Sequence, residues 1–377
     1  MHKYLRFAAI ALLASVAFVA CDDDDNTSDG GSQPSGSGEQ PAASVNGFYV
    51  LTQGNQYNGL PGEIDYFTLS EGGADVSEMF NAVNKQQLGD TPQKPVIYGS
   101  KMYVPVYGSN LLWVLDAKTL RIISKVETNE PEAVCGAGRY VYVTNNDGYV
   151  TRVDTATYAK DASLAIGQNP YGIAAAGGNV YVAISGSYLD NYAAGYKVAV
   201  VDPSTFKHVG DIAVGMNPQK MVAQADGDVF VVCNGNSGYG TPAIYPTVYK
   251  IDTAKGTASQ FCEGGIVALM PATGNETAQS LFVIDSKTDW STYVTTTTAS
   301  VYSLDGTKKM ASFFPEGGTP VSAIEADANP ATGNIFVCTL AEAGGYSKPG
   351  KVMEYTSAGQ LVKTYDTGVE PYGVVFK

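Results

Sequence analysis

Glu370-Pro371-Tyr372-Gly373-Val374-Val375-Phe376, close to the end of the 377-residue chain, repeats the phrase Asn169-Pro170-Tyr171-Gly172-Ile173 from its middle. In the middle, that phrase opens an apolar strand and a second strand, Val180-Tyr181-Val182, comes next. At the end the phrase stands alone, so one strand is left over. The first repeat, starting at Asn46, lacks this same strand. The C-terminal strand is therefore expected to complete the first repeat and close a ring, hiding the sheet edges that would otherwise invite aggregation. A linear solenoid would need capping repeats instead.

Working outward, the strand after the phrase recurs along the whole chain with an aromatic at a fixed place. Phe48-Tyr49-Val50, Met102-Tyr103-Val104, Val141-Tyr142-Val143 and Val180-Tyr181-Val182 are followed by Val229-Phe230-Val231, Leu281-Phe282-Val283 and Ile335-Phe336-Val337. The aromatics lie 39 to 54 residues apart, the range of four-stranded blades. Pro92, Pro131, Pro170, Pro218 and Pro320 precede five of these strands, and Gly264-Gly265 takes that place in the sixth blade. A further strand of most repeats closes on Asp116, Asp154, Asp202, Asp252 or Asp305. An Asp there bonds its own backbone two residues on and starts a tight turn, so these carboxylates read as turn formers rather than as catalytic groups. The expectation is an all-β chain: a seven-bladed β-propeller of four-stranded blades over residues 46–377.

Composition agrees and excludes several functions. The chain has 42 Gly, and 25 Tyr against 13 Phe, a turn-rich and strand-rich usage. Charged residues are 16% of the total and the formal net charge is −14, so nucleic acid is not an expected partner. His2 and His208 are the two histidines, which disfavours His-centred catalysis and metal sites. Cys135, Cys233, Cys262 and Cys338 are far apart, with no C-x-x-C pair. No metal site or disulfide framework is expected from them, and three lie in apolar runs where Cys behaves as a small hydrophobe.

Residues 1–20 read as a signal peptide: basic His2, Lys3 and Arg6, then an apolar run from Phe7 to Ala20. The run is too short to span a membrane, and Asp22 to Asp25 follow at once. Phe18-Val19-Ala20-Cys21 resembles a bacterial lipobox, which implies acylation of Cys21 as the mature N-terminus. The aspartates resemble an acidic export signal to the outer face of the outer membrane; a plain solvated acidic tail is the alternative. Residues 21–45 read as this anchor followed by a Ser/Gly/Pro-rich tether.

With the proline-led strand innermost, the connections between second and third strands share one face with the blade-to-blade connections. On that face the sequence places its long segments: Gln53 to Pro61, Ser185 to Tyr196, Asn234 to Thr247, Asp285 to Ala299 and Thr339 to Gly350. Turns on the other face, such as Gly177-Gly178, are short. Long loops are where binding residues concentrate. These carry Tyr57, Tyr188, Tyr192, Tyr239, Tyr245, Trp290, Tyr293 and Tyr346 amid Asn, Gln, Ser and Gly, a usage typical of recognition surfaces. Packing a long loop onto its neighbour is an equal explanation for any single Tyr. Near the axis, Tyr171 and Tyr372 follow their prolines, and Glu132 and Lys220 are expected to face inward beside Gln93 and Gln219. They can orient a polar ligand or act as acid and base, but nothing in their spacing requires the second. The expectation is a binding protein, not an enzyme, without a catalytic cofactor.

Tyr142-Val143-Thr144-Asn145 is the signature of the YVTN-repeat propellers, which include YncE-like and surface-layer-like proteins, and the resemblance covers residues 46 to 377. The lipobox with its aspartates, the tether, the seven blades and the Tyr/Asn-rich loop face together resemble the BtuG-type surface lipoproteins. That resemblance implies capture of a corrinoid (cobalamin, vitamin B12) outside the cell and its transfer to a TonB-dependent outer-membrane transporter. The ligand would contact Tyr57, Gln93, Glu132, Tyr171, Tyr188, Tyr192, Gln219, Tyr239, Trp290, Tyr346 and Tyr372. Membrane contact would run through the lipid anchor only, and a monomer is expected. A glycan-binding lipoprotein of a polysaccharide-uptake system and a protein-binding structural propeller are the alternatives.

Overall fold

The recurrent apolar runs form the second strand of each blade, and their alternation sets the packing. In Asn179–Ile184, the side chains of Val180, Val182 and Ile184 pack with Tyr142 and Val150 of the blade before. Tyr181, between them, packs with Val229 and Val231 of the blade after. A strand covered on both faces has no solvated side, so its sequence is apolar throughout rather than alternating.

The computed structural model describes residues 45–224, 227–240, 242–274 and 278–377. The signal peptide, Cys21, the acidic run and the tether up to residue 44 lie outside the described residues. Seven antiparallel sheets form the seven blades of a β-propeller. In six of them four strands run outward in chain order; the fourth blade, for example, is Pro170–Ala176, Asn179–Ile184, Lys197–Asp202 and Lys207–Ala213. The first blade joins the two ends of the propeller. Its innermost strand is the C-terminal Pro371–Phe376, paired antiparallel with Gly47–Thr52, which in turn pairs with Glu63–Thr68. Outside that last strand a single bridge, Tyr66 to Val76, marks the fourth position, and the chain continues into a short helix, Met79–Asn84. Phe80 of this helix is buried against Trp113 of the second blade.

The core is distributed as seven apolar clusters, one in each wedge between adjacent blades. The repeated aromatics Tyr49, Tyr103, Tyr142, Tyr181, Phe230, Phe282 and Phe336 fill these wedges at 0–2% exposure. Two of the tyrosines also reach the neighbouring blade's outer turn: Tyr49 Oη donates to Ala117 O at 3.1 Å and Tyr142 Oη to Pro203 O at 3.2 Å. The repeated aspartates act as expected. Asp154 Oδ1 accepts from the backbone of Ala156 and Thr157; Asp202 accepts from Ser204 and Thr205, and these bonds lower its pKa to about 2. Cys135, Cys233 and Cys338 are buried free thiols.

One loop reading changes. The segment Asp285 to Ala299 is no loop but a β-ribbon, in which Ser280–Asp289 pairs with Val294–Ser303 along its whole length. The β-branched run Thr295 to Thr298 favours extended backbone, and hydroxyl pairs cross it at Ser286–Thr297 and Thr288–Thr295. The ribbon lifts Trp290 and Tyr293 to its tip.

Candidate functional site

A corner repeated in five blades builds the centre of the loop face. Thr91, Glu130, Asn169, Asn217 and Glu370 each precede an inner-strand proline, and each has φ between 39° and 57°, the left-handed region that costs a non-glycine residue about 1 kcal/mol or more. Each turns its carbonyl to accept the backbone N–H just after the second strand of its blade: Tyr107, Asn146, Ser185, Asn234 and Gln53, at 2.9–3.1 Å. Asn tolerates this conformation best, and here it also contributes its side chain: Asn169 Nδ2 donates to Gly186 O and Asn217 Nδ2 to Gly235 O.

Immediately after the proline the pairing register slips. Bulges fall at Glu132–Ala133, Tyr171–Gly172, Gln219–Lys220 and Tyr372. A bulge re-aims a side chain that would otherwise follow the pleat, and Glu132, Tyr171, Lys220 and Tyr372 converge on the channel. A cavity of about 210 Å³ lies there, lined by Gln93, Lys94, Glu132, Tyr171, Lys220, Glu325 and Tyr372, and by apolar Val96, Val134, Ile173, Val222 and Val267. Gly172 is required where the inner strands converge, since a Cβ on it would stand 2.0 Å from Gln219 O.

Three cross-links span the channel. Tyr171 Oη of the fourth blade lies 3.1 Å from Tyr372 Oη of the first. Lys220 of the fifth blade pairs with Glu325 of the seventh at 2.5 Å and sits 5.0 Å from the Tyr372 ring centre. Lys94 of the second blade reaches Asp327 at 2.5 Å and Glu325 at 3.6 Å. Burial alone would lower the Lys94 ammonium, but Asp327 and then Glu325 outweigh it and hold it firmly protonated. Burial opposes the Glu325 carboxylate too, and the two lysines overcome it, keeping its pKa below the usual range. Glu132 differs from all of these. Burial, and secondarily Glu130, pushes its carboxyl up to about 8, and its carboxyl takes no hydrogen bond or ion pair among the described residues.

The expected site residues thus divide. Gln93, Glu132, Tyr171 and Tyr372 meet at the cavity. Gln219 does not line it: its side chain donates to Asn217 Oδ1 at 3.1 Å and accepts from Asn234 Nδ2 at 2.7 Å, bracing the corner. On the rim, Tyr57, Tyr188, Tyr239 and Tyr346 are exposed and Tyr192 is half-buried. Tyr239 and Trp290 meet edge to face at 5.3 Å, and Trp290 Nε1 donates to Ser237 O, joining the loops of blades five and six. Asn55 Nδ2 donates to Tyr346 O at 3.0 Å, joining those of blades one and seven. Tyr57 and Tyr188 stand on separate loops. Lys94, Glu325 and Asp327 were missed in the sequence: their charges meet only when the second and seventh blades are placed around the same axis. His208 lies on an outermost strand, paired with Asp211 at 2.8 Å.

Among solved structures, the chain is similar to hydrazine synthase of Kuenenia stuttgartiensis, at 16% identity and a TM-score of 0.57, over 74% of this chain and 88% of that one. It is also similar to U3-55K (9% identity, TM-score 0.53, covering 74% and 83% of the two chains) and to the WD40 repeats of RRP9 (9%, 0.50, covering 74% and 82%). At such identities the likeness concerns the fold alone. No curated protein matches the chain. Residues 46–372, which span the whole ring from the first blade to the start of its closing strand, match the family described as domain of unknown function DUF5074, and the chain belongs to that family.

Proposed function

We propose that this propeller is the capture component of a surface uptake system: anchored through Cys21, it takes a corrinoid on its loop face and passes it to a TonB-dependent outer-membrane transporter. The observation that carries the proposal is the set of exposed aromatics on one face, Tyr57, Tyr188, Tyr239, Tyr293 and Tyr346 at 55–91% exposure with Trp290 at 39%. They surround a centre built of carboxyl, amide, ammonium and phenol groups. A corrinoid is a broad disc edged with amide side chains. Flat aromatic area serves the disc, and Asn, Gln and Tyr serve its edge. The resemblance to BtuG-type lipoproteins in anchor, tether and blades supports the same reading.

The test is calorimetric titration of the chain from residue 22 onward with cyanocobalamin. One-to-one binding is expected, weakened about tenfold, or ~1.4 kcal/mol, by Trp290→Ala or Tyr188→Ala at unchanged melting temperature. Unchanged affinity in both variants moves the site off this face. Absence of binding overturns the corrinoid reading and makes glycans the next ligands to titrate.

A further inference from the structure

The central channel holds a hydrogen-bonding site that the cross-links do not use. Its charges are matched: Lys220 and Lys94 face Glu325 and Asp327. An anionic group entering from the loop face would meet no free ammonium there, and a cation would meet two lysines. What is left without an ionic partner is a carboxyl and a phenol pair. The Glu132 carboxyl faces the cavity without a bond, and one hydroxyl of the Tyr171–Tyr372 pair keeps a proton to donate, since a single proton suffices for the bond between them. Gln93 is buried beside them, and among the described residues its side chain makes one long hydrogen bond, from Nε2 to Thr91 O at 3.4 Å.

We infer that the loop-face end of the channel is a subsite for a primary carboxamide, held by the Glu132 carboxyl and a hydroxyl of the tyrosine pair. A protonated carboxyl offers one donor and one acceptor, the complement of a –CONH2 group, and the two can close a ring of paired hydrogen bonds. The raised Glu132 pKa supplies that protonated form at neutral pH. The groups around it are Tyr171 and Tyr372 from the fourth and first blades, Lys220 from the fifth, Lys94 from the second, Glu325 from the seventh and Glu130 at the corner before its own strand. About 210 Å³ is the liquid volume of roughly seven waters, enough for one amide-tipped side arm and far too small for a macrocycle. The site therefore reads one arm of a ligand whose body rests on the aromatic rim. Its physiological ligand rests on the corrinoid reading above; the chemistry of the subsite does not.

The experiment compares wild type, Glu132→Ala and Glu132→Gln against cyanocobalamin by calorimetry and against propionamide and propionate by saturation-transfer NMR. Glutamine keeps one donor and one acceptor, so Glu132→Gln is expected to bind within about threefold of wild type, and Glu132→Ala about tenfold more weakly. Raising the pH from 6 to 9.5 should weaken wild type and leave Glu132→Gln unchanged. Propionamide should give a signal that Glu132→Ala loses and propionate should give none. Equal cyanocobalamin binding by all three proteins overturns the subsite and leaves the capture reading standing. No cyanocobalamin binding, with a Glu132-dependent propionamide signal, overturns the capture reading and supports the subsite. Loss of both signals in wild type, or preference for propionate, overturns the subsite.

Discussion

Glu132 illustrates how a single residue ties stability to the site. Its carboxyl is pushed from the ordinary 4.5 to about 8, with burial as the main cause. Below about pH 4.5 it is protonated in folded and unfolded chains alike. Between there and pH 8 the unfolded chain ionises first, so folding loses stability as pH rises, and above pH 8 the loss levels off. Glu132→Gln removes this penalty. In thermal melts its advantage over wild type is expected to be near zero at pH 4.5 and to grow to several degrees at pH 9, since a carboxyl moved from 4.5 to about 8 carries at most roughly 4–5 kcal/mol. A constant difference at both pH values would show that the carboxyl is not held neutral by the fold. Trp290 is the contrasting case, for at 39% exposure it contacts Tyr239 and Ser237 on the surface, away from the blade cores. Trp290→Ala is therefore expected to leave the melting temperature unchanged at every pH.

Among elements, the short helix Met79–Asn84 and the first blade hold each other through two buried carboxyl groups. Asp65 accepts from Glu78 N at 2.9 Å and from Gly368 N at 3.1 Å; Glu63 accepts from Ile64 N at 3.1 Å and Asn81 N at 3.4 Å. Burial raises both pKa values, Glu63 to about 7. Asp65 thereby fastens the start of the helix and the segment that leads into the closing strand. Asp65→Ala leaves two backbone donors without their partner, a loss of about 2–3 kcal/mol that chemical denaturation should report. A change below about 0.5 kcal/mol would mean that water or a neighbouring group replaces the carboxylate. The sequence offered no warning of this helix, because six residues with a single buried apolar side chain, Phe80, carry no helical period.

At the scale of the molecule, the ring is held by seven wedges, and the wedge between blades seven and one depends on the closing strand. Val374 lies in that cluster, with Phe376 packed against Phe48 and Phe336. Deleting residues 371–377 would expose the edge of Gly47–Thr52 and remove Tyr372 from the channel. The expected result is a fall of roughly 10 °C or more in melting temperature with concentration-dependent aggregation, both relieved by a synthetic peptide of residues 370–377 added in trans. A truncated chain that melts like the full one would show that closure contributes nothing to stability.

The blade count, the aromatic of each wedge, the Asp turns and the closing strand could all be read in the chain itself, because each repeats. A repeated unit must solve the same packing problem seven times, and its solution shows as a period in the sequence. The long loops were legible for the same reason, as departures from that period, except where the Thr295 to Thr298 run turned one of them into a ribbon. The sequence also pointed Tyr171, Tyr372, Glu132 and Lys220 toward the axis; what only the tertiary structure decided is which groups meet there. Tyr171 and Tyr372, 201 residues apart, touch because blades four and one face each other across the axis. Lys94 meets Asp327 and Lys220 meets Glu325 for the same reason. The left-handed corners and the bulges that aim these side chains inward are backbone events set by bonds to another strand. No local pattern encodes them: distance along the chain carries no information about distance across a closed ring.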